Sequence, residues 1–436
     1  MILQPWAEQL LRASCPPGVI DLHLMDTVVA FLAGVRTTEG QALCQLYGGR
    51  ADGAALAAAA SAIARLSECD DIHLASCVTP GSVVIPLALA FAGSRGEDDF
   101  HGAISAGYAA GLRLGMGIGG ARALAGGVWP TLLAAPLMAA VTASCLSGHD
   151  SGRLAHAMAL ALSGTSGRLG RPVGASTGRW FLLGEAVLRG LYASEAADQG
   201  FRGDLTLLSK PWLTAQAGHD EVDMGAFDLS APAPSIADVG CKPFPIARQG
   251  ANAVAAFQSL LSKGLDPNRV ESIEIFVPAM NAALLSRPVL DDDRLSRLSN
   301  IGFQLGCAAL APEMLYDAER AAAPAGPILD FARRVAVMRA GDLEAYLPHR
   351  WAARVVVNTD SGRLEETLIG APFDHDASNL PRILRDKWRR LKLQDSGDVF
   401  ENDSLASEGR AVLWQRIEAC VSMAAQRRSE AEPITG

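Results

Sequence analysis

Helix-length segments rich in alanine and glycine follow one another over residues 1–235, and this repetition decides most of what the chain can become. "PPGVIDLHLMDTVVAFLAG" opens on prolines, repeats apolar residues at helical spacing and stops at Gly34. "DGAALAAAASAIARL", "PGSVVIPLALAFAG", "DFHGAISAGYAAGLRLGMG", "LLAAPLMAAVTASCL", "SGRLAHAMALALSGTSG" and "LLGEAVLRGLYASEAADQG" continue the pattern. Glycine closes most of these units, because it accepts the left-handed backbone of a helix stop without strain. Small side chains let helices approach closely, so the pattern predicts an all-helical core rather than a sandwich or a barrel. A chain of 436 residues exceeds one ordinary core.

The texture changes after Pro232. "RVESIEIFVPA" alternates and is rich in Ile and Val, which predicts a strand. "RWAARVVVNTDSGRLEETLIGAP" predicts a hairpin with Asp360, Ser361 and Gly362 at its turn. Helical segments such as "ANAVAAFQSLLSKG" and "RLSNIGFQLGCAALA" lie between them. The expected organisation is mainly α: a large all-helical domain over 1–240, completed by C-terminal helices within 376–436, and a smaller α+β domain over 241–375. The end, "SEAEPITG", reads as a loose tail.

Hydrophobic residues make up 49% of the chain and charged residues 19%, a composition that buries a core and argues against disorder. The net charge of −9, with no Lys/Arg cluster, argues against a nucleic-acid partner. An anionic ligand would need local positive charges set against this overall field. The eight cysteines are scattered without a C-x-x-C pair, which fits free thiols in a reducing cytoplasm. The N-terminal "MILQPWAEQLL" lacks the basic start of a secretion signal. Thr131–Gly148 is the best membrane candidate, but Pro136 interrupts it and it reads as a buried helix. The expectation is a cytoplasmic protein with no membrane partner.

"GMGIGG" (Gly115–Gly120) satisfies G-x-G-x-x-G, but a helical segment precedes it where a dinucleotide site needs a strand, so it reads as a flexible loop. Cys69, His73 and Cys77 recur every four residues and would share a face if the helix continued; no fourth ligand is evident and no metal is expected. "ECDDIH" (Glu68–His73) puts acids and an imidazole within six residues. It reads either as a solvated helix end or as a general acid–base group in which an aspartate, Asp70 or Asp71, orients His73. It runs into "CVTPGSVVIP", where Pro80 and Gly81 mark a helix start and Thr79 or Ser82 stands ready to cap it.

Taken together these segments resemble the MmgE/PrpD family along most of the chain. "DTVVAFLAG", "DDIHLASCVTPGSVVIPLALA", "AGYAAGLRLG", "GVWPT", "STGRWFLLGEAVLRGLYASEAADQGFRG", "CKPFPIARQGANAV", "GLDPNRVESIEIFVP" and "APFDHDASNLPRILRDKWRRL" follow the family's motifs in order. The resemblance implies a helical domain with a smaller α+β lid, an active site between them, a homodimer, and no cofactor. Members include 2-methylcitrate dehydratase, cis-aconitate decarboxylase and iminodisuccinate epimerase, which handle a proton on carbon next to a carboxylate of a small anionic polycarboxylate.

Several family histidines are replaced. Thr79 stands where the family has His before Pro-Gly-Ser, Trp129 replaces the His of Phe-His-Pro-Thr, and Arg179 and Leu182 stand at the Lys and His of Lys-Pro-Leu-His. Gln249, Gly250 and Ala251 occupy the stretch of a further His, and Gly306 falls near an expected Tyr. Fewer acids remain for expelling a hydroxyl or reprotonating a carbanion after decarboxylation. The resemblance therefore points to an epimerase acting by proton removal and return on a small dicarboxylate or imino-diacid of the iminodisuccinate type. A dehydratase or decarboxylase of a tricarboxylate, and a non-catalytic carboxylate-binding relative, are the alternatives. His73, Asp70, Asp71 and Lys242 are the catalytic candidates. Thr79, Ser82, Arg113, Arg179, Arg248 and Gln249 are the candidates for holding substrate carboxylates, arginine being suited to bidentate recognition. Tyr108 reads as a half-buried core tyrosine, and Cys69 and Cys77 as buried thiols.

Overall fold

The computed structural model describes residues 1–429 apart from 51, 94, 171–175, 292, 320–324, 372, 375–378 and 394–406. Of the expected tail, Ser429 ends the last helix and residues 430–436 lie outside the described residues. The chain divides into two compact units: residues 1–171, 177–241 and 393–436 form the first, and 172–176 with 242–392 the second.

The first unit is helical. Its elements are α1 (Leu3–Leu10), α2 (Pro17–Gly34), α3 (Thr38–Gly48), α4 (Gly53–Leu66), β1 (Asp71–Ile72), α5 (Gly81–Phe91), α6 (Glu97–Gly117), α7 (Ala121–Ala125), α8 (Pro130–Leu146), α9 (Ser151–Ser163), α10 (Gly178–Asp198), α11 (Lys210–Ala217) and β2 (Gly240–Cys241). Local chemistry starts several of these helices. Thr37 accepts the Gly40 N–H at 3.0 Å, Asp150 the Arg153 N–H at 2.8 Å, and proline occupies the first turn of α2, α8 and α11. Helix α8 packs against α5, α6, α9 and α10 and buries every residue except Cys145. The apolar run at Thr131–Gly148 is thus a core helix.

Small residues set how closely these helices approach. A Cβ at Gly190 on α10 would stand 2.2 Å from the Pro136 carbonyl oxygen and 2.6 Å from the Ala139 Cβ on α8. Gly190→Ala is expected to destabilise the protein by about 1–3 kcal/mol, because backbone rather than a mobile side chain must yield. A urea unfolding midpoint equal to that of the parent would show that the two helices can separate without loss.

The second unit contains α12 (Arg248–Ser262), β3 (Val270–Val277), α13 (Ala279–Leu285), α14 (Arg294–Ser299), α15 (Ile301–Leu310), α16 (Ala325–Ala332), β4 (Val335–Arg339), β5 (Ala353–Thr359), β6 (Gly362–Leu368) and α17 (Leu380–Arg390). Its sheet runs β4-β3-β5-β6, with β3 parallel to β4 and antiparallel to β5. Alternation puts Ile273, Ile275 and Val277 on the buried face, where Ile273 lies opposite Val357 and Ile275 opposite Val355. These residues join the core that α12, α15 and α16 complete. The hairpin turn falls at Asp360 and Ser361, with Gly362 at φ 136°.

The observed fold is mainly α with a smaller α+β part. Two details depart from expectation. Helix α17 belongs to the second unit, and only the last helix, α18 (Ser407–Ser429), groups with the first, packing on α3, α4 and α5. Strand β4 was not foreseen, since five residues of "VAVMR" give too short an alternation to distinguish from a helix end.

Candidate functional site

The residues that the sequence singled out lie on the connection between α4 and α5. Helix α4 ends at Leu66, and the chain reverses at Glu68, whose φ is 56°. Strand β1 follows and pairs with β2, Asp71 opposite Cys241 and Ile72 opposite Gly240. A bridge between His73 and Val78 then closes a tight turn, with the His73 N–H on the Val78 carbonyl and the Cys77 N–H on the His73 carbonyl, both at 2.9 Å. Cys77 also takes a positive φ, 55°. Left-handed backbone at a non-glycine costs about 1–3 kcal/mol and persists where surrounding contacts over-determine it. Cys69, His73 and Cys77 therefore share no helix face. The solvated-end reading fails as well, because Glu68, Asp70, Asp71 and His73 are all buried.

Strand β1 begins only at Asp71, and the two neighbouring aspartates take different partners. Asp71 faces the start of α5. Its Oδ1 accepts the Gly81 N–H at 2.9 Å, its Oδ2 accepts the Tyr108 hydroxyl at 2.7 Å, and His23 Nδ1 lies 3.0 Å from Oδ2. Asp71, His23 and Tyr108 are each 0% exposed. Burial, then the Asp71 charge, pushes the Tyr108 hydroxyl well above its ordinary pKa, so it stays protonated and donates. Gly81 is required here: a Cβ would stand 2.7 Å from Asp71 Oδ2 and from the Tyr108 hydroxyl, and 2.8 Å from Thr27 Oγ1.

Asp70 faces the other way. Arg65 Nη1 lies 3.3 Å from Asp70 Oδ1 and 3.0 Å from Glu68 Oε2. Burial alone would weaken the guanidinium charge, but Asp70 and then Glu68 more than offset it and hold Arg65 protonated. The Arg65 guanidinium also sits 5.2 Å from the Trp129 ring and 5.8 Å from the Trp180 ring. Arg179 stacks on the same two indoles at 5.5 and 5.6 Å. The tryptophans meet edge to face at 5.9 Å. Indole faces attract guanidinium groups, so this cluster fixes two cations side by side.

The imidazole of His73 is not held by Asp71, whose oxygens are taken by His23, Tyr108 and Gly81. Its Nδ1 instead lies 2.9 Å from Ser76 Oγ and receives the Ser76 N–H at 3.2 Å. A backbone N–H can only donate, so Nδ1 is an acceptor and the neutral ring carries its proton on Nε2. Thr79 is held across to α8, its N–H donating to Thr131 Oγ1 at 3.1 Å and its hydroxyl 3.1 Å from the same oxygen. Ser82 Oγ donates back to the Thr79 carbonyl at 2.9 Å. The expected cap of α5 by Thr79 or Ser82 is therefore corrected. Asp71, ten residues upstream, takes the Gly81 N–H instead, which is where a helix N-terminus favours a carboxylate.

"GMGIGG" is not a flexible loop throughout. Gly115 and Gly117 lie within α6, and a Cβ at Gly120 would stand 2.2 Å from the Ala75 carbonyl oxygen. Gly115 and Gly120 let the end of α6 press on the His73 turn, whereas a Cβ at Gly117 would meet the Phe227 ring at 2.5 Å. Arg113 lies on the same helix, one turn before Gly117. It is buried, donates to the Asp228 carbonyl at 3.3 Å, and its charge is weakened by burial, which Asp228 partly offsets. It does not join Asp71 and Tyr108.

Lys242, Arg248 and Gln249 lie in the second unit and all three are buried. Arg248 is engaged there by Asp374, by Asn252 Oδ1 at 3.1 Å, and by the Phe373 ring at 4.9 Å. In the first unit the structure thus brings together Asp70, Asp71, His73, Thr79, Ser82 and Arg179. Among the described residues, no three His, Cys, Asp or Glu side chains are placed to share a metal ion.

The sequence reading missed His23, Arg65 and Thr131, and took Tyr108 for half-buried core. A signal for the first was present. His23, Asp26 and Thr27 stand at i, i+3 and i+4 of a largely apolar helix, and polar groups at that spacing on a buried face imply polar partners.

Residues 20–224 match the family model of the MmgE/PrpD N-terminal domain. The matched stretch runs from α2 through α11 and contains the whole α4–α5 connection, Tyr108 and the tryptophan–arginine cluster. No curated protein matches the chain. The match supports the family; dehydratases, decarboxylases and epimerases all occur in it, so it does not choose among those activities.

Proposed function

We propose that this chain is a cofactor-independent epimerase or isomerase, acting on the carbon next to a carboxylate of a small dicarboxylate or imino-diacid of the iminodisuccinate type. The observation that carries the reading is the division of labour at the α4–α5 connection. Asp71 is committed to His23, Tyr108 and Gly81, and Asp70 to Arg65, while His73 is held by Ser76 in the tautomer that presents an N–H at Nε2.

The chemistry follows from that tautomer. Removing the α-proton breaks a C–H bond and sends its electron pair toward the carboxylate oxygens. A neutral imidazole N–H is suited to hydrogen-bond the oxygen on which charge builds. One group accepts that proton and a second group on the opposite face delivers one to the carbon, so the centre inverts in a two-base scheme and atoms and electrons balance. No hydroxyl leaves, so no strong acid is demanded of Thr79, whose hydroxyl is engaged by Thr131. Arg179, fixed on the indoles, supplies positive charge of the kind that binds carboxylate.

The test is turnover in deuterated solvent with an imino- or amino-dicarboxylate, read by mass spectrometry and NMR at the α-carbon. Solvent deuterium should enter the epimer ahead of the recovered substrate, because the group on the opposite face delivers it. Turnover with no deuterium at that carbon would sink the two-base scheme. Formation of an alkene from 2-methylcitrate or citrate would instead identify a lyase. Lys242→Met belongs in the same assay, where loss of exchange with binding retained would make Lys242 the base.

A further inference from the structure

We infer that His23 and Tyr108 are positioning residues, which act through Asp71 to set the segment carrying His73 and Thr79; in its kinetic part the inference rests on the epimerase reading above. Neither residue lies within the segment. His23 comes from α2 and Tyr108 from α6, and both reach Asp71 Oδ2, at 3.0 and 2.7 Å. The same carboxylate holds the Gly81 N–H at 2.9 Å. Asp71 precedes His73 by two residues, and Gly81 follows Thr79 by two. One carboxylate therefore ties both ends of the segment to two long helices, while the His73–Val78 bridge and Ser76 fix what lies between.

Stability alone does not account for this arrangement. His23 Nε2 and Thr27 Oγ1 are buried and find no hydrogen-bond partner among the described residues. A buried polar atom without a partner is destabilising, and apolar side chains of similar shape would fill the same space without that penalty. What the polar set supplies and an apolar set cannot is direction. Hydrogen bonds from fixed donors locate the carboxylate, and the carboxylate locates the α5 N-terminus. Sub-ångström placement of a reacting group is the kind of property on which turnover depends steeply.

The experiment uses the full chain with Tyr108→Phe and His23→Gln. The first readout needs no substrate: hydrogen–deuterium exchange in peptides covering 70–84, compared with peptides from α9. Tyr108→Phe should raise exchange in 70–84 about fivefold or more while leaving α9 protected, as expected for local rather than global opening. The second readout is α-proton exchange, where kcat should fall ~10-fold or more with KM within about twofold, a split that lost positioning produces and lost binding does not.

Unchanged protection and unchanged kcat in a folded variant would overturn the inference. So would protection lost evenly across the first unit, or failure of both variants to fold, since each would make the network a general requirement of the fold. If the parent protein shows no α-proton exchange, the epimerase reading fails by itself, and the substrate-free readout still decides the positioning role.

Discussion

Asp71→Ala is expected to lower the free energy of unfolding by about 3–5 kcal/mol, the range for removing one member of a buried charged network. The substitution takes the shared acceptor away from three groups at once: the Tyr108 hydroxyl, His23 Nδ1 and the Gly81 N–H. All of these lie in a region without solvent access, so water does not replace the lost acceptor without rearrangement. Asp71→Asn keeps the shape and one acceptor oxygen but introduces two donors, and should cost less, about 1–3 kcal/mol. Urea unfolding followed by circular dichroism checks both. Equal midpoints for parent and alanine variant would mean that the network contributes nothing to the fold. The distinction between the two variants matters, because a loss that tracks volume alone would leave Asp71→Asn, which keeps the shape, at the parental midpoint.

His73→Asn has the largest expected effect on activity. A positioned acid–base or electrophilic group contributes about 10²–10⁴-fold, and α-proton exchange should fall by that factor. The fold should survive, since the turn is closed by the backbone groups of His73, Cys77 and Val78, which the variant retains. Ser76→Ala should have a smaller effect of the same kind. It leaves the imidazole in place and removes the hydroxyl at Nδ1, while the Ser76 N–H still favours the Nε2–H tautomer. A His73→Asn enzyme with parental exchange rates would remove His73 from the mechanism and with it the division of labour proposed for the α4–α5 connection.

The helical half of the fold was legible because its signal is local. The apolar periodicity of "PPGVIDLHLMDTVVAFLAG" and its closing glycine correspond to α2 ending at Gly34, and the alternation of "RVESIEIFVPA" to β3. The site was legible only as a region. "ECDDIH" and "CVTPGSVVIP" are where the chemistry lies, but the pairings inside them were not. Reading 69–77 as continued helix would have aligned Cys69, His73 and Cys77. A reversal at Glu68 and a two-residue strand put those side chains elsewhere.

What the sequence determined by itself was what short-range physics controls: helix periods, glycine and proline stops, an α+β second unit, and a stretch of unusual polarity at the head of α5. Tertiary structure alone decided which groups meet. Asp71 pairs with His23, 48 residues away, and with Tyr108, 37 residues away, rather than with His73 beside it. A buried carboxylate takes whatever donors the packed helices bring within about 3 Å. No periodicity in the chain encodes that meeting. It is set by how closely α2, α5 and α6 pack, and at their junction only Gly81 leaves the room.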